Sequence, residues 1–311
     1  MLATSLVEKL HTHYPESSID FLLRKGNETL LFNHPFVNRV LIFDKKHKKY
    51  KNLRYMIRFI REQKYDYVIN VQRFFTTGLI TALSGGKHTI GFDKNPLSFF
   101  FSKKIKHTIA STGDGKHEVE RNHALIAELT DGKFAKPKLY PTLEDFKKVS
   151  GTKDYVCMAP ASVWFTKQFP VHKWVELINL LPAHLNIILL GAKGDYELCA
   201  NIKSSIVHRP SSILNLAGQL SFLESAALMK NAKMNYVNDS APLHFASAMN
   251  APVTAFFCST IPSFGFGPLS DDSHIAEIDY KLYCRPCGLH GYNKCPEGHF
   301  KCSEIEIKSP L

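Results

Sequence analysis

No stretch of this 311-residue chain approaches the ~18 consecutive apolar residues that a membrane-spanning helix requires. Its first twenty residues lack the basic, apolar and small-residue blocks of a secretory leader, so the expectation is a cytoplasmic protein. There is no low-complexity tract and no short-period repeat, which removes linkers and repeat arrays from consideration. Zinc-finger, RNA-binding-sheet and helix-turn-helix signatures are missing too, so a nucleic-acid partner is not expected despite the basic charge. Cations are unevenly divided between the halves. Residues 1–150 carry 26 Lys and Arg against 15 Asp and Glu, whereas residues 151–311 carry 13 of each, so the whole net charge of +11 sits in the first half. A face of that sign attracts an anionic membrane surface or a phosphorylated substrate.

What is present is ordinary globular composition, 44% hydrophobic and 22% charged, with enough length for two cores. The densest basic block, DKKHKKYKNLRYMIRFIR (44–61), interleaves Tyr50, Tyr55, Ile57, Phe59 and Ile60 with cations. It reads either as the solvated side of an amphipathic helix or as a patch for membrane or phosphate.

Short β-rich runs alternate with helical ones throughout. SIDFLL, VNRVLIF, YDYVINV and HTIGF are strand-like in the first half, with helices expected over Asn52 to Lys64 and Thr76 to Leu83. DYVCMAP, LNIILLG, SILNLAG, MNYVN and PVTAFFC repeat the pattern in the second half, each followed or preceded by a helical run. Parallel strands need crossovers that pack on the sheet faces, so the alternation predicts two helix-covered α/β sheets. The Pro- and Lys-rich stretch 131–154 is the natural joint between domains at 1–150 and 151–311.

Three polar corners at strand ends stand out. VNDSAPLHFASAM (237–249) places Asp239 or Ser240 to cap a helix, Pro242 in its first turn and His244 one turn in. APASVWFTKQFPVHKW (159–174) offers Ser162 and Thr166 as hydrogen-bond donors and Lys167 as a mobile cation for a phosphate. LLGAKGDYELC (189–199) has the glycines of a tight turn and, in Asp195, a carboxylate for a ribose hydroxyl. In open α/β sheets ligands bind at such corners, and three in one domain point to a shared site for an anion. Four of the seven cysteines, Cys284, Cys287, Cys295 and Cys302, cluster near the C-terminus. A CxxC followed by two more thiols reads as a zinc site or as a reduced, loop-packing cluster, the last spacing being wider than in common zinc modules.

Taken in order, ESSIDFLLRKGNETLLFNHPFVNRVLIFDK, YDYVINVQRFFTTGLITALSGGKHTIGFDK, HEVERNHALIAEL, ASVWFTKQFP, LLGAKGDYEL, VNDSAPLHFASAMNAPVTAFFCST and FGPLS resemble the heptosyltransferases of lipopolysaccharide core assembly, glycosyltransferase family nine. The resemblance implies a GT-B fold, two Rossmann-like domains facing across a cleft. The C-terminal domain would hold an ADP-activated heptose and the N-terminal domain a lipid-linked, phosphorylated saccharide acceptor. By position, Ser162 and Lys167 would meet the diphosphate, Asp239, Ser240, Ala241 and His244 would surround phosphates and sugar, and Asp195 would meet the ribose. Lys167 and His244 are the catalytic candidates. The family commonly has glycine where this chain has Ala241. It also begins with a strand and a turn ending in Gly-Asp, the presumed base; here MLATSLVEKLHTHYP looks like the following helix, so that strand and base are expected upstream of Met1.

The resemblance implies inverting transfer without a metal or cofactor, at the cytoplasmic face of the inner membrane. A base would take the acceptor proton while negative charge grows on a departing diphosphate, which preorganised N–H groups and Lys167 would stabilise. Two alternatives stay open: a nucleotide-sugar-binding protein without transferase activity, and another nucleotide-sugar enzyme of this fold, such as an epimerase.

Overall fold

Strands buried on both faces read as unbroken apolar runs, and the run YVCMA is buried at every position. The computed structural model describes residues 1–109, 115–208 and 212–308. They fall into two compact units. The smaller comprises Leu2–Ile109 and Glu118–Pro137; the larger comprises Lys138–Leu311 with Met1 and Ala110–His117. Among the described residues no helix is long and apolar enough to cross a membrane.

The smaller unit runs α1 (Thr4–His13), β1 (Asp20–Arg24), β2 (Arg39–Phe43), α2 (Lys49–Gln63), β3 (Tyr67–Asn70), α3 (Phe75–Ala82), β4 (His88–Phe92), β5 (Lys103–Ile105) and α4 (Glu118–His123). All its strand pairs are parallel, but they form two sheets, β1–β2 and β3–β4–β5. Each has its own small core. Met56, Ile60 and Ile80 pack with Leu22 and Leu41, and Ile90, Phe92 and Leu125 pack with Ile69 and Ile105. The basic block folds as an amphipathic helix. Met56 and Ile60 face inward from α2, while Tyr50 and Tyr55 are exposed.

The larger unit, taken over its described residues, runs α5 (Leu143–Lys148), β6 (Tyr155–Ala159), α6 (Val171–Leu180), β7 (Asn186–Leu189), α7 (Tyr196–Ser204), β8 (Ile213–Asn215), α8 (Phe222–Asn231), β9 (Asn235–Asn238), α9 (Ala241–Met249), β10 (Val253–Phe256) and β11 (Ser273–Ala276). Its six parallel strands lie in the order β11-β10-β9-β6-β7-β8, a doubly wound sheet. Helix starts are defined by side chains: Thr142 and Asp145 form a capping box on α5, and Ser221 and Glu224 form one on α8. The core centres on Trp174, which is wholly buried against Phe169 and Phe256 and donates its indole N–H to the Phe169 carbonyl at 2.9 Å.

Every strand expected from the sequence forms. The pattern missed β5 and β11, edge strands of three and four residues whose side chains are at best half-buried. Without a buried face, such strands carry little alternation to detect.

Candidate functional site

A doubly wound sheet reverses its strand order once, and at that point the two flanking connections splay to opposite faces and leave a crevice. In the larger unit the reversal lies between β6 and β9. The segments leaving those strands are 160–167 and 239–244, two of the three corners singled out by the sequence. The third, carrying Asp195, leaves β7, which adjoins β6. All three therefore sit on the C-terminal edge of one parallel sheet.

The first two corners meet through charge. Lys167 Nζ lies 2.6 Å from Asp239 Oδ2, with both side chains largely buried. Thr260, leaving β10, donates its hydroxyl to the same carboxylate oxygen at 2.6 Å. Asp239 thus holds the ammonium at the crevice. An ammonium has three N–H donors, so the ion pair leaves others for an anionic ligand. Asn238, wholly buried one residue earlier, anchors the Lys167 segment to β9: its Oδ1 accepts from Phe169 N at 3.0 Å and its Nδ2 donates to the Pro160 carbonyl at 2.7 Å.

Helix α9 starts at the crevice. Ser240 is its N-cap in extended conformation but makes no capping bond, and among the described residues its buried Oγ has no hydrogen-bond partner; nor does Nδ1 of His244, also buried. Unpartnered polar atoms at a helix N-terminus, where free N–H groups gather partial positive charge, form an anion-binding arrangement. Burial pushes the His244 imidazole down to about 4 against the pull of Asp239, with His117 and Lys167 adding to the lowering. It is neutral at pH 7 and offers one donor and one acceptor. Because the folded value lies below the unfolded one, the unfolded chain takes up the proton first. The contribution to stability is complete above pH 6.5 and is lost as pH falls towards 4. Substituting His244→Gln should make the urea midpoint fall less over that window than in the parent protein; an unchanged slope would remove the buried neutral imidazole from the account.

Thr166 serves Lys167 from behind. Its buried Oγ1 accepts from Tyr292 N at 2.8 Å and from the Ser259 hydroxyl at 3.0 Å, so its hydroxyl is committed to protein contacts beside the site. Gly291 makes this approach possible. It has φ +75°, and a Cβ there would stand 2.8 Å from Thr166 Oγ1 and 3.0 Å from Lys167 Cγ. Gly291→Ala should therefore cost about 1–2 kcal/mol from the left-handed backbone alone, with a further loss from crowding of Thr166 and Lys167. Thermal melting would measure it, and an unchanged midpoint would show that the loop yields without disturbing this contact.

The same loop carries the cysteines. Cys284, Cys287, Cys295 and Cys302 line one hollow of about 240 Å³ with Thr166, Tyr292 and His299, and no cysteine is in a disulfide. Cys284 Sγ approaches His299 Nε2 to 3.9 Å. Among the described residues, however, no three His, Cys, Asp or Glu side chains form a group able to hold a metal ion.

The remaining candidates are placed as follows. Ser162 is half-buried in the β6 segment, where its carbonyl accepts from Gln168. Ala241 is the exposed first residue of α9. Asp195 turns its carboxylate onto its own loop and accepts from Ala192 N at 2.7 Å. Sequence reasoning missed Thr260, Asn238 and Arg285. Arg285 donates to the carbonyls of Phe257, Cys258 and Thr260 and so fixes the segment that carries Thr260. For Thr260 a signal existed in the Ser-Thr pair directly after the PVTAFFC strand; Arg285 acts over 25 residues and left none.

Comparison with known proteins bears on the fold and the family. Lipopolysaccharide heptosyltransferase 3 of Escherichia coli is 26% identical over 275 residues, covering 84% of this chain and 80% of the relative. The structure of E. coli ADP-heptose LPS heptosyltransferase II superimposes with a TM-score of 0.78 at 20% identity, covering 96% of this chain and 92% of that one. The E. coli heptosyltransferase WaaC with ADP gives a TM-score of 0.70 at 18% identity, with 88% coverage of each chain. These likenesses give the fold, two Rossmann-like α/β units of the GT-B type. Since the family model of glycosyltransferase family 9 (heptosyltransferase) matches residues 53–290, spanning both units, the chain belongs to that glycosyltransferase family.

Proposed function

We propose that the chain transfers a heptose from an ADP-activated donor to a lipopolysaccharide core acceptor, with inversion and without a metal or cofactor, at the cytoplasmic surface of the inner membrane. The observation that carries this reading is the Lys167–Asp239 pair beside the unpartnered Ser240 Oγ and His244 Nδ1 at the start of α9. The relatives are heptosyltransferases, and the structure of one was determined with ADP, which supports the choice of donor.

In this reading the larger unit binds the donor. The diphosphate lies across the α9 N-terminus with Lys167 on it, Ser240 and neutral His244 hydrogen-bond phosphate or sugar, and Asp195 exchanges its loop bond for a ribose hydroxyl. As the anomeric carbon acquires oxocarbenium character, negative charge moves onto the leaving ADP. Donors fixed in place beforehand stabilise that charge without reorganising. The acceptor hydroxyl attacks from the opposite face and gives its proton to a base, for which no residue of this chain is nominated.

The deciding experiment is a calorimetric titration with ADP, UDP and GDP, followed by transfer assays with ADP-heptose and a core acceptor. Preferential ADP binding with heptose transfer is expected. Equal affinity for the three nucleotides would overturn the donor assignment, and ADP binding without transfer would leave a binding protein.

A further inference from the structure

Four phenylalanines of the smaller unit face solvent on two adjoining loops. Phe74 and Phe75 follow β3 and are 70% and 57% exposed; Phe99 and Phe100 follow β4 and are 67% and 62% exposed. β3 and β4 are parallel neighbours, so both loops leave the same sheet edge. Asn95, buried, ties them together by donating Nδ2 to the carbonyls of Gln72 at 3.0 Å and Phe74 at 3.1 Å. Gly78 permits this, because a Cβ there would collide with the Asn95 side chain. The run FFF is sorted by packing. Phe101 turns inward against Gly91, where a Cβ would stand 2.5 Å from its ring, while Phe99 and Phe100 stay outside with ring centroids 4.2 Å apart. The outward phenylalanines are thus held in place by buried groups rather than left over on a loose loop.

The charge near them along the chain is mostly of one sign, although the exposed Glu128 pairs with Lys103 of β5. Between Asp66 and Asp114 the sequence contains a single carboxylate, Asp93, and that one accepts from the His107 backbone at 2.9 Å. Arg73 and Lys94 are exposed beside the phenylalanines, and Lys104 and Lys106 are exposed just beyond. Exposed aromatics flanked mainly by cations match a bilayer interface, where rings sit at headgroup depth and Lys and Arg meet anionic lipid. A protein partner would be expected to meet charges of both signs.

We infer that Phe74, Phe75, Phe99 and Phe100, with their surrounding cations, form a wedge that seats the smaller unit on an anionic lipid bilayer. This deepens the reading above, in which the acceptor is lipid-linked, and it assigns membrane contact to these two loops rather than to the basic block on α2.

The test is co-sedimentation of the full chain with vesicles of phosphatidylglycerol in phosphatidylcholine, against phosphatidylcholine alone. The protein should bind the anionic vesicles, and joint replacement of the four phenylalanines by serine should weaken partitioning at least about tenfold while ADP affinity, set in the other unit, is unchanged. As a second readout, the indole introduced by Phe99→Trp should be quenched by brominated lipid, with the parent protein as background. Failure of the parent protein to sediment, equal sedimentation of the serine variant, or an unquenched indole would each overturn the wedge. ADP titration of the same samples separates the two readings: lost ADP binding with intact sedimentation would strike the donor assignment and leave the wedge standing.

Discussion

Lys167→Ala should weaken ADP binding by about ten- to a hundredfold, the equivalent of a charge-assisted hydrogen bond. It should also lower folding stability, because it leaves the Asp239 carboxylate buried with only the Thr260 hydroxyl as a neutral partner. Removing one partner of a buried pair costs about 3–5 kcal/mol, mostly from the charge left behind. The two losses separate in the double variant Lys167→Ala, Asp239→Asn. An amide at 239 can still accept from Thr260 and carries no charge, so most of the stability should return while ADP affinity stays low. Urea denaturation and calorimetry on both variants would measure this. If the double variant also recovered ADP affinity, Lys167 would be a structural cation and not a phosphate ligand.

The second large effect is expected at the residue before Asp239. Asn238→Ala removes both bonds that hold the Lys167 segment to β9 and leaves the Phe169 N–H and the Pro160 carbonyl without partners. Each unsatisfied buried group costs about 1–3 kcal/mol, so a loss of about 2–5 kcal/mol is expected. Donor affinity should fall as well, because the segment bearing Ser162 and Lys167 loses its anchor. Asn238→Asp is the control: it keeps an acceptor for Phe169 N but sets a second acceptor against Pro160 O and buries a charge, so it should be at least as damaging. A stability change under 1 kcal/mol in the alanine variant would show that other contacts hold the segment.

The amino-acid order alone settled a good deal. Continuous apolar runs such as YVCMA and NIIL fit strands buried on both faces of a parallel, helix-covered sheet, and each is followed by a helix whose start is marked by Pro or Asp. The corner VNDSAPLHFASAM was legible for the same reason, since a cap, a first-turn proline and a histidine one turn later are local features with local causes.

Relations between distant segments were decided elsewhere. That Lys167 reaches Asp239 across 72 residues depends on β6 and β9 being neighbours, which strand order determines and neither segment encodes alone. The sorting of FFF into one inward and two outward rings depends on Gly91 lying beneath Phe101. The cysteine spacing is a local feature, whereas the seating of that loop on Thr166 joins segments 126 residues apart. Local propensity acts within a few residues, whereas charge pairing, burial and close approach depend on distance in space, so those features took their form only when the sheets assembled.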